Sequence, residues 1–497
     1  MRVASIREKA TQGLREKTPG LGISLQAVKT RPSRVVAFGL FWAWIWLLFQ
    51  DSERLALSES ASLLFTLLYY LPLLFYALGF AAIGLLYQVK HIVPQGPRYE
   101  RTLATFVTAG TLLIVGGFWL YPRSPLLGSI CCIFGCLLAG SSAAFLHTEW
   151  ARLFVSLGAR ATIISCVFAT LIAGAFVIAT ELLPLTALWL LLAILPGLSA
   201  CALFHDPAYQ SSPRHSDVAT TVYVPWKLLA TAFVQGLSLG LIAVLSSSFA
   251  DIPAFAATIG YMVGALLILG VVLLFRVDYN AFIYRIGFPI MAAAWLTILA
   301  VHSFGAFGVG VHAIGYRFVD LAIWSVTIYI IKDKQLPTNW VCAVNTSALM
   351  AGQFLGVGLA LLPTTRPLQP LQEELCNGYA AVMVLVLFMV ALLVFSSKNL
   401  KTGWGLVRPS DETVPDDLVE ACRTLGAYRK LTSRETDILV YLARGRNRAY
   451  ICNDLVLAQD TVKTYIRTVY RKLEVHSQQE VISLVEKQMM QHEEKSE

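Results

Sequence analysis

Basic side chains are concentrated on one face of a helix predicted between positions 461 and 472. This face carries Lys463, Thr464, Arg467 and Arg471, with Lys472 beside them. The opposite face carries an apolar stripe at spacings of four, three and four, formed by Val462, Ile466, Val469 and Leu473. Such a helix can pack on a protein core and still approach the phosphates of a DNA major groove. The pattern predicts a nucleic-acid contact, with binding to anionic lipid as the competing interpretation.

A second group of polar residues lies inside long apolar segments. It comprises His312, Arg317, Asp320, Gln235 and Gln353. Arg317 and Asp320 are three positions apart, so on a helix they share a face and can pair. Ionisable residues inside a membrane are a functional hypothesis by default. Two interpretations stay open for the pair: a structural lock between helices, or contact with a ligand.

Other chemistry is not indicated by the sequence. The nine cysteines form no CxxC pair, and most of them lie in apolar runs. They are therefore expected to be buried small residues, with neither a disulfide framework nor a zinc site. A nucleophile triad and a phosphate-binding glycine loop are both missing from the sequence. We expect no catalytic residues, no metal and no cofactor, and so no enzyme.

The elements that must position these residues follow from composition. Of the 497 residues, 56% are hydrophobic and only 14% are charged, whereas a soluble domain has about 25% charged residues. Twelve apolar segments lie between Val35 and Phe395, divided six and six by a polar stretch from His205 to Trp226. Segments of this length in lipid must be helices. Trp42, Trp44 and Trp46 in the first segment are expected to be interface anchors or to face lipid.

The loops between these segments predict the orientation. With the N-terminus inside, one side of the membrane receives 22 lysines and arginines and the other side receives three. The excess marks the cytoplasmic side. We therefore expect a multi-pass protein of the inner (cytoplasmic) membrane with both termini in the cytoplasm. The basic N-terminal residues 1–34 read as a cytoplasmic tail and not as a cleaved signal peptide.

The predicted architecture is all-α. Residues 1–34 form the basic tail, and residues 35–396 a twelve-helix transmembrane bundle that could act as a sensor. Residues 397–429 form a linker with one short helix near 417–425, and residues 430–490 a small four-helix domain. In that domain, Thr432-Ser433-Arg434-Glu435 is a capping box that begins the first helix. Asn447 can cap the second helix.

These C-terminal residues resemble a LuxR-type helix-turn-helix domain, the output module of many bacterial regulators. The similarity rests on Leu431–Glu435, Ala443-Arg444-Gly445, Thr461-Val462-Lys463, Lys472-Leu473 and Gln479-Glu480. It implies that Lys463, Thr464 and Arg467 face base edges. It also implies that the DNA backbone is held by Thr461, Arg471, Lys472, Asn447 and Arg448. The fourth helix would pair two subunits, giving a homodimer on double-stranded DNA. The family usually has a serine where this sequence has Ala458.

The six-plus-six arrangement resembles a major facilitator superfamily transporter. Small residues after the fourth and in the eleventh segment are compatible with parallel repeats. The loop at 88–100 lacks the acid–Arg and Gly–Arg pattern of that family. The favoured function is a one-component regulator in the membrane whose bundle senses a small molecule or an envelope signal. The alternative is a transporter with an attached regulatory DNA-binding domain, and an enzyme of lipid or cell-wall chemistry is the weakest hypothesis.

Overall fold

The chain forms two compact units, Met1–Ser410 and Asp411–Glu497. The computed structural model describes residues 31–49, 63–90, 94–210, 224, 226–245, 255–274, 286–300, 305–333, 336–364, 371–394, 416–443, 448, 451–452, 459–485 and 488. Every regular element in these ranges is helical. All nine cysteines lie within them, and none of these residues forms a disulfide there.

The first unit contains twelve apolar helices in the described ranges. They are α1 (Pro32–Phe49), α2 (Leu63–Lys90), α3 (Pro97–Leu120), α4 (Pro125–Leu157), α5 (Ala159–Thr180), α6 (Leu185–Phe204), α7 (Trp226–Leu245), α8 (Ala256–Leu274), α9 (Phe288–Ala300), α10 (Gly305–Asp333), α11 (Thr338–Leu361) and α12 (Gln372–Val394). By length and composition nine of them can cross a membrane, while α1, α8 and α9 are shorter apolar helices. A four-residue helical segment, Pro207–Gln210, follows α6. The predicted all-α architecture is confirmed.

The principal packing contacts in the first half of the bundle have counterparts six helices later. Helix α1 packs on α5 and α6, α2 on α4, and α3 on α4 and α6. In the same way α7 packs on α11 and α12, α8 on α10, and α9 on α10 and α12. The halves meet through α2 against α11 and α5 against α8. This correspondence is the arrangement that parallel repeats produce.

Glycines allow α7 and α11 to approach closely. A Cβ atom added at Gly236 or Gly240 would overlap the backbone of α11, and one added at Gly352 or Gly356 would overlap the backbone of α7. Both helices therefore carry the Gly-xxx-Gly spacing that brings two helix backbones together in membranes. Gly358 is different, because a Cβ there meets no atom within 4 Å.

Apolar side chains also cover the outside of the bundle. Exposed examples lie on α3, α4, α6 and α12, among them Leu112, Phe134, Leu190 and Leu392. An apolar exterior of this kind is suited to lipid.

The three tryptophans of α1 are placed differently from the sequence-based expectation. Trp44 is fully buried and its indole N–H donates to Thr111 Oγ1 at 3.2 Å. Trp46 is 4% exposed and its ring lies 5.1 Å from that of Tyr261. Lipid-facing packing was the wrong prediction for both, because α1 is covered by neighbouring helices.

The second unit is a small helical domain. It contains α13 (Asp416–Tyr428), α14 (Ser433–Ala443), α15 (Gln459–Leu473) and a further helix over 478–485, with helical residues also at 448 and 451–452. Their buried apolar residues form one core, and α13 contributes Ala421, Cys422 and Leu425 to it. The predicted boundaries are therefore corrected: the short helix of the 397–429 linker exists, but it packs as part of the C-terminal domain.

Candidate functional site

A buried carboxylate connects two helices of the second unit. The Thr432 backbone N–H donates to Glu435 Oε2 at 2.6 Å, and the Glu435 N–H donates to Thr432 Oγ1 at 3.3 Å, which confirms the predicted capping box. Lys472 Nζ donates to the same carboxylate at 2.6 Å. Burial opposes ionisation of Glu435, but hydrogen bonds from Lys472 and Thr432 outweigh it and lower the pKa of this carboxyl. The start of α14 is thereby joined to the end of α15.

Helix α15 displays its cationic face to solvent. Val462, Val469 and Leu473 are buried in the domain core. The exposed side chains of this helix include Thr461, Lys463, Thr464, Arg467 and Arg471. The Thr464 hydroxyl donates to the Asp460 carbonyl oxygen at 2.9 Å. The four predicted residues of the basic face therefore lie together on an accessible surface.

The remaining predicted DNA-contact residues are placed less uniformly. Lys472 is half-buried, and its amine also donates to the Lys430 carbonyl oxygen at 3.0 Å, so this amine is part of the fold. Arg448 is exposed. Asn447 lies outside the described residues.

Ile466 departs from the predicted apolar stripe. It is half-buried, and it lines a groove together with Lys463, Arg467 and the half-buried Tyr470. Ile466 packs against the domain core, but unlike Val462, Val469 and Leu473 it is only partly covered by that core. The groove adds apolar surface to the cationic face.

Comparison with protein families matches residues 429–485 to "Bacterial regulatory proteins, luxR family". This segment is a LuxR-type helix-turn-helix domain. Among curated proteins, the HTH-type transcriptional activator RamA of Corynebacterium glutamicum is 32% identical over 82 residues. The matched region is 15% of this chain and 29% of RamA, so the chain spans less than a third of that relative. The exposed cations of α15 lie within the segment that matches this family.

The centre of the membrane unit contains a buried ion pair. Arg317 Nη1 lies 2.6 Å from Asp320 Oδ2, one turn along α10, so the predicted pairing is present. The guanidinium also donates to Thr170 Oγ1 of α5, at 3.0 Å from Nε. Its central carbon lies 5.0 Å from the ring centroid of Trp42 and 5.5 Å from that of Trp46, on α1. The Thr170 hydroxyl thus accepts a hydrogen bond from Arg317, and both indole rings contact its guanidinium through cation–π interactions.

The ion pair lines a cavity in the middle of the bundle. Helices α1, α2, α4, α5, α7, α8, α10 and α11 contribute to its wall. Gln235 and Gln353 line it as well, so four of the five polar residues predicted for the membrane site share one space. The Gln235 amide N–H₂ donates to the Tyr316 carbonyl oxygen at 3.4 Å.

His312 is separate from the other four residues. It is 2% exposed and its Nε2 lies 2.7 Å from Ser238 Oγ, which also accepts a hydrogen bond from the Trp295 indole at 2.8 Å. Its hydrogen bond therefore joins α10 to α7 away from the lining of the cavity.

Sequence reasoning missed a second polar cluster near one end of the bundle. Glu149 and Arg152 pair within α4, and both are buried. Arg152 Nη2 donates to Asn339 Oδ1 of α11 at 3.0 Å, and Tyr209 donates to Glu149 at 2.8 Å. Arg152 is assigned to a cytoplasmic loop by the charge count, but α4 continues to Leu157 and takes it inside the helix. The i, i+3 spacing of acid and base was the available signal.

Solved structures establish what the membrane unit is similar to. A bacterial homologue of the iron transporter ferroportin, in an outward-facing state with soaked iron, is 10% identical with a TM-score of 0.51. It covers 72% of this chain and 97% of that chain. The major facilitator superfamily transporter FucP in the outward conformation is 14% identical with a TM-score of 0.49, covering 73% and 98%. At these identities the likeness concerns the fold alone. A LuxR-type DNA-binding domain is thus joined to a membrane unit whose fold is similar to that of the bacterial ferroportin homologue.

Proposed function

We propose that the protein is a membrane-bound one-component transcriptional regulator. The membrane unit senses a small molecule or an envelope signal, and the cytoplasmic LuxR-type domain binds promoter DNA. The observation that carries this proposal is the exposed cationic face of α15 on a LuxR-type domain, in the same chain as a bundle with a polar cavity at its centre. A signal can act only if it binds one conformation of the bundle more tightly than another.

The roles proposed for individual residues in DNA binding are those that the resemblance to LuxR-type domains implies, and the exposure of the α15 residues supports them. Lys463, Thr464 and Arg467 contact base edges, while Thr461 and Arg471 contact phosphates together with Lys472, Asn447 and Arg448. A base-reading side chain contributes about 1–3 kcal/mol of discrimination. Removing Lys463 or Arg467 is therefore expected to weaken specific binding about 5- to 150-fold.

The test measures binding of the full-length protein, in lipid nanodiscs, to DNA from the promoters of its own and adjacent genes. Lys463→Ala and Arg467→Ala are compared with Arg434→Ala, which removes an exposed cation on α14 paired with Asp437. The control is expected to bind normally. Equal affinities for the control and for a Lys463→Ala/Arg467→Ala double variant would remove the proposed interface.

A transporter with a regulatory DNA-binding domain is the second candidate. The repeated helix contacts and the cavity bounded by both halves of the bundle favour it. Uptake into membrane vesicles separates the candidates, because a dedicated sensor binds its ligand without accumulating it. Accumulation driven by an ion gradient would support the transporter.

We also propose that the protein lies in the inner membrane with both termini cytoplasmic. The support is the distribution of lysine and arginine in the loops and an even number of apolar helices. A reporter that fluoresces only in the cytoplasm, fused after Glu497, is expected to be bright. A periplasm-dependent enzyme fused at the same position is expected to be silent, and the reverse pattern would contradict the orientation.

A homodimer formed through the helix at 478–485 is proposed for the DNA-bound state. Val481 and Val485 are buried in the core of their own domain, so we propose that the contact uses the half-buried Ile482 together with Leu484, which also packs against that core. Replacing both with serine is expected to reduce cooperative binding to paired half-sites. Binding to a single half-site should change little, and a proportional loss on both DNAs would argue against the dimer contact.

A further inference from the structure

We propose that the central cavity binds a small uncharged molecule rich in hydroxyl groups, such as a polyol of three or four carbons. This inference rests on the proposed sensing function and names the ligand class for the same site. It is carried by three lining residues, each with a buried polar atom that has no partner in the described residues, and by the charge balance and aromatic walls of that cavity.

Three lining residues from three helices have buried polar atoms with no hydrogen-bond partner in the described part of the chain. They are the Trp42 indole nitrogen on α1, the His147 Nε2 on α4 and the Asn345 Oδ1 on α11. Each buried group left unsatisfied is unfavourable, and native proteins have few of them. Their convergence on one cavity indicates that a ligand supplies the missing partners.

The types of these three atoms define the ligand. The Trp42 indole can only donate, so it needs an acceptor, whereas Asn345 Oδ1 needs a donor. His147 Nδ1 lies 2.5 Å from the Tyr76 hydroxyl, so the role of its Nε2 depends on which tautomer that contact selects. A hydroxyl both donates and accepts, and it therefore matches all three atoms in either tautomer.

The charge of the lining favours a neutral ligand. Arg317 and Asp320 are the charged side chains among the lining residues, and they neutralise one another. A ligand with a net charge would place an unbalanced charge in a largely buried site, which is strongly unfavourable. Anions and cations are therefore rejected.

Aromatic rings and the available space limit the shape of the ligand. Trp46, Tyr261 and Tyr316 line the cavity and offer flat apolar faces to the C–H groups of a ligand. The cavity has a volume of about 80 Å³. At roughly 10–15 Å³ for each water-sized group, it holds about five to eight of them. A polyol of three or four carbons, with six or eight non-hydrogen atoms, fits this space, whereas a hexose with twelve, a lipid or a peptide does not.

The test uses full-length protein purified in detergent, with thermal unfolding and tryptophan fluorescence as readouts. The neutral probes are glycerol and erythritol at millimolar concentration, and the charged probes of similar size are glycerate and 3-amino-1,2-propanediol. At least one neutral probe is expected to raise the unfolding temperature saturably, and neither charged probe is expected to do so. Promoter activity is not a readout, so a failure of the sensing proposal leaves this result interpretable.

Variants connect binding to the cavity. Trp42→Phe keeps an aromatic ring but loses the donor, and Asn345→Ala loses the acceptor. Each variant is expected to weaken binding of the neutral probe about 2- to 13-fold, which is the change in affinity that corresponds to one neutral hydrogen bond. The matched control is Trp189→Phe, because the Trp189 indole N–H is also buried without a partner among the described residues but does not line the cavity.

Four results would overturn the inference. Binding of neither neutral probe is the first, and preferential binding of glycerate or 3-amino-1,2-propanediol is the second. The third is an equal loss of affinity in the Trp189 control, and the fourth is unchanged affinity in both cavity variants. In each case a reporter that still responds to an inducer would leave the sensing function standing while the ligand class is rejected.

Discussion

Replacing Arg317 with leucine should destabilise the membrane unit, and replacing Asp320 as well should restore it. In the single variant Asp320 keeps a largely buried carboxylate and loses the guanidinium 2.6 Å away. Breaking a buried pair on one side costs about 3–5 kcal/mol. In the Arg317→Leu/Asp320→Leu variant neither charge remains, and a buried pair replaced by apolar residues is often neutral or stabilising. The double variant should therefore recover most of the loss.

The assay has two readouts that separate structure from sensing. Unfolding of purified protein by a denaturing detergent gives the stability of each variant. Reporter transcription with and without inducer, at matched membrane levels, gives the response. If the pair contacts ligand or lies on a moving helix, the double variant will be stable but unresponsive.

A surface cation provides the control for this prediction. Arg123 stacks on the Trp119 ring at 4.2 Å but is exposed, and an exposed cation–π contact contributes about 0.5–1 kcal/mol. Arg123→Leu should therefore have a small effect. A single Arg317→Leu variant as stable as this control would refute the reasoning, and a double variant that still switches normally would make the pair purely structural.

Further perturbations are expected to act as follows. The pKa of Glu435 is lowered on folding, so the contribution of this carboxylate to stability is complete above its unfolded-state pKa and is lost as pH falls through the folded value. Glu435→Gln should therefore reduce the loss of stability of residues 411–497 at acidic pH. Asp437→Asn, the control, should leave that pH dependence unchanged. Gly352→Ala should reduce the yield of folded membrane protein because its Cβ overlaps α7, while Gly358→Ala meets open space and should be tolerated. Arg34→Lys keeps the charge but loses the two-point contact with the Asp206 carboxylate at 2.8 and 2.9 Å; unfolding should show a loss of about 1.5–3 kcal/mol, and an unchanged midpoint would contradict this.

The sequence was sufficient to predict those features that depend on contacts between residues close together in the chain. The capping box at Thr432–Glu435, the Arg317–Asp320 pair and the twelve apolar helices each depend on residues within a few positions of one another. Their spacing alone therefore predicted the observed contacts.

Contacts between distant segments could not be predicted in this way. The Arg317 hydrogen bond to Thr170 joins residues 147 positions apart, and the Arg152 bond to Asn339 joins residues 187 positions apart. A hydropathy window cannot tell whether the tryptophans of α1 face lipid or pack against other helices, because both environments favour the same apolar composition. Only the packing of α1 against other helices distinguishes the two.

The position of Arg317 has a mechanical consequence for the two halves of the bundle. Its ionic partner Asp320 lies on its own helix, whereas Thr170 and the indole rings of Trp42 and Trp46 belong to the opposite half. If the halves rock against each other, cation and anion travel together as one neutral dipole. The motion then breaks only a hydroxyl contact and slides a guanidinium across aromatic faces. No opposite charges are pulled apart in the membrane interior, so at this site the motion changes only weak contacts, and a ligand that binds one state more tightly does not also have to separate an ion pair.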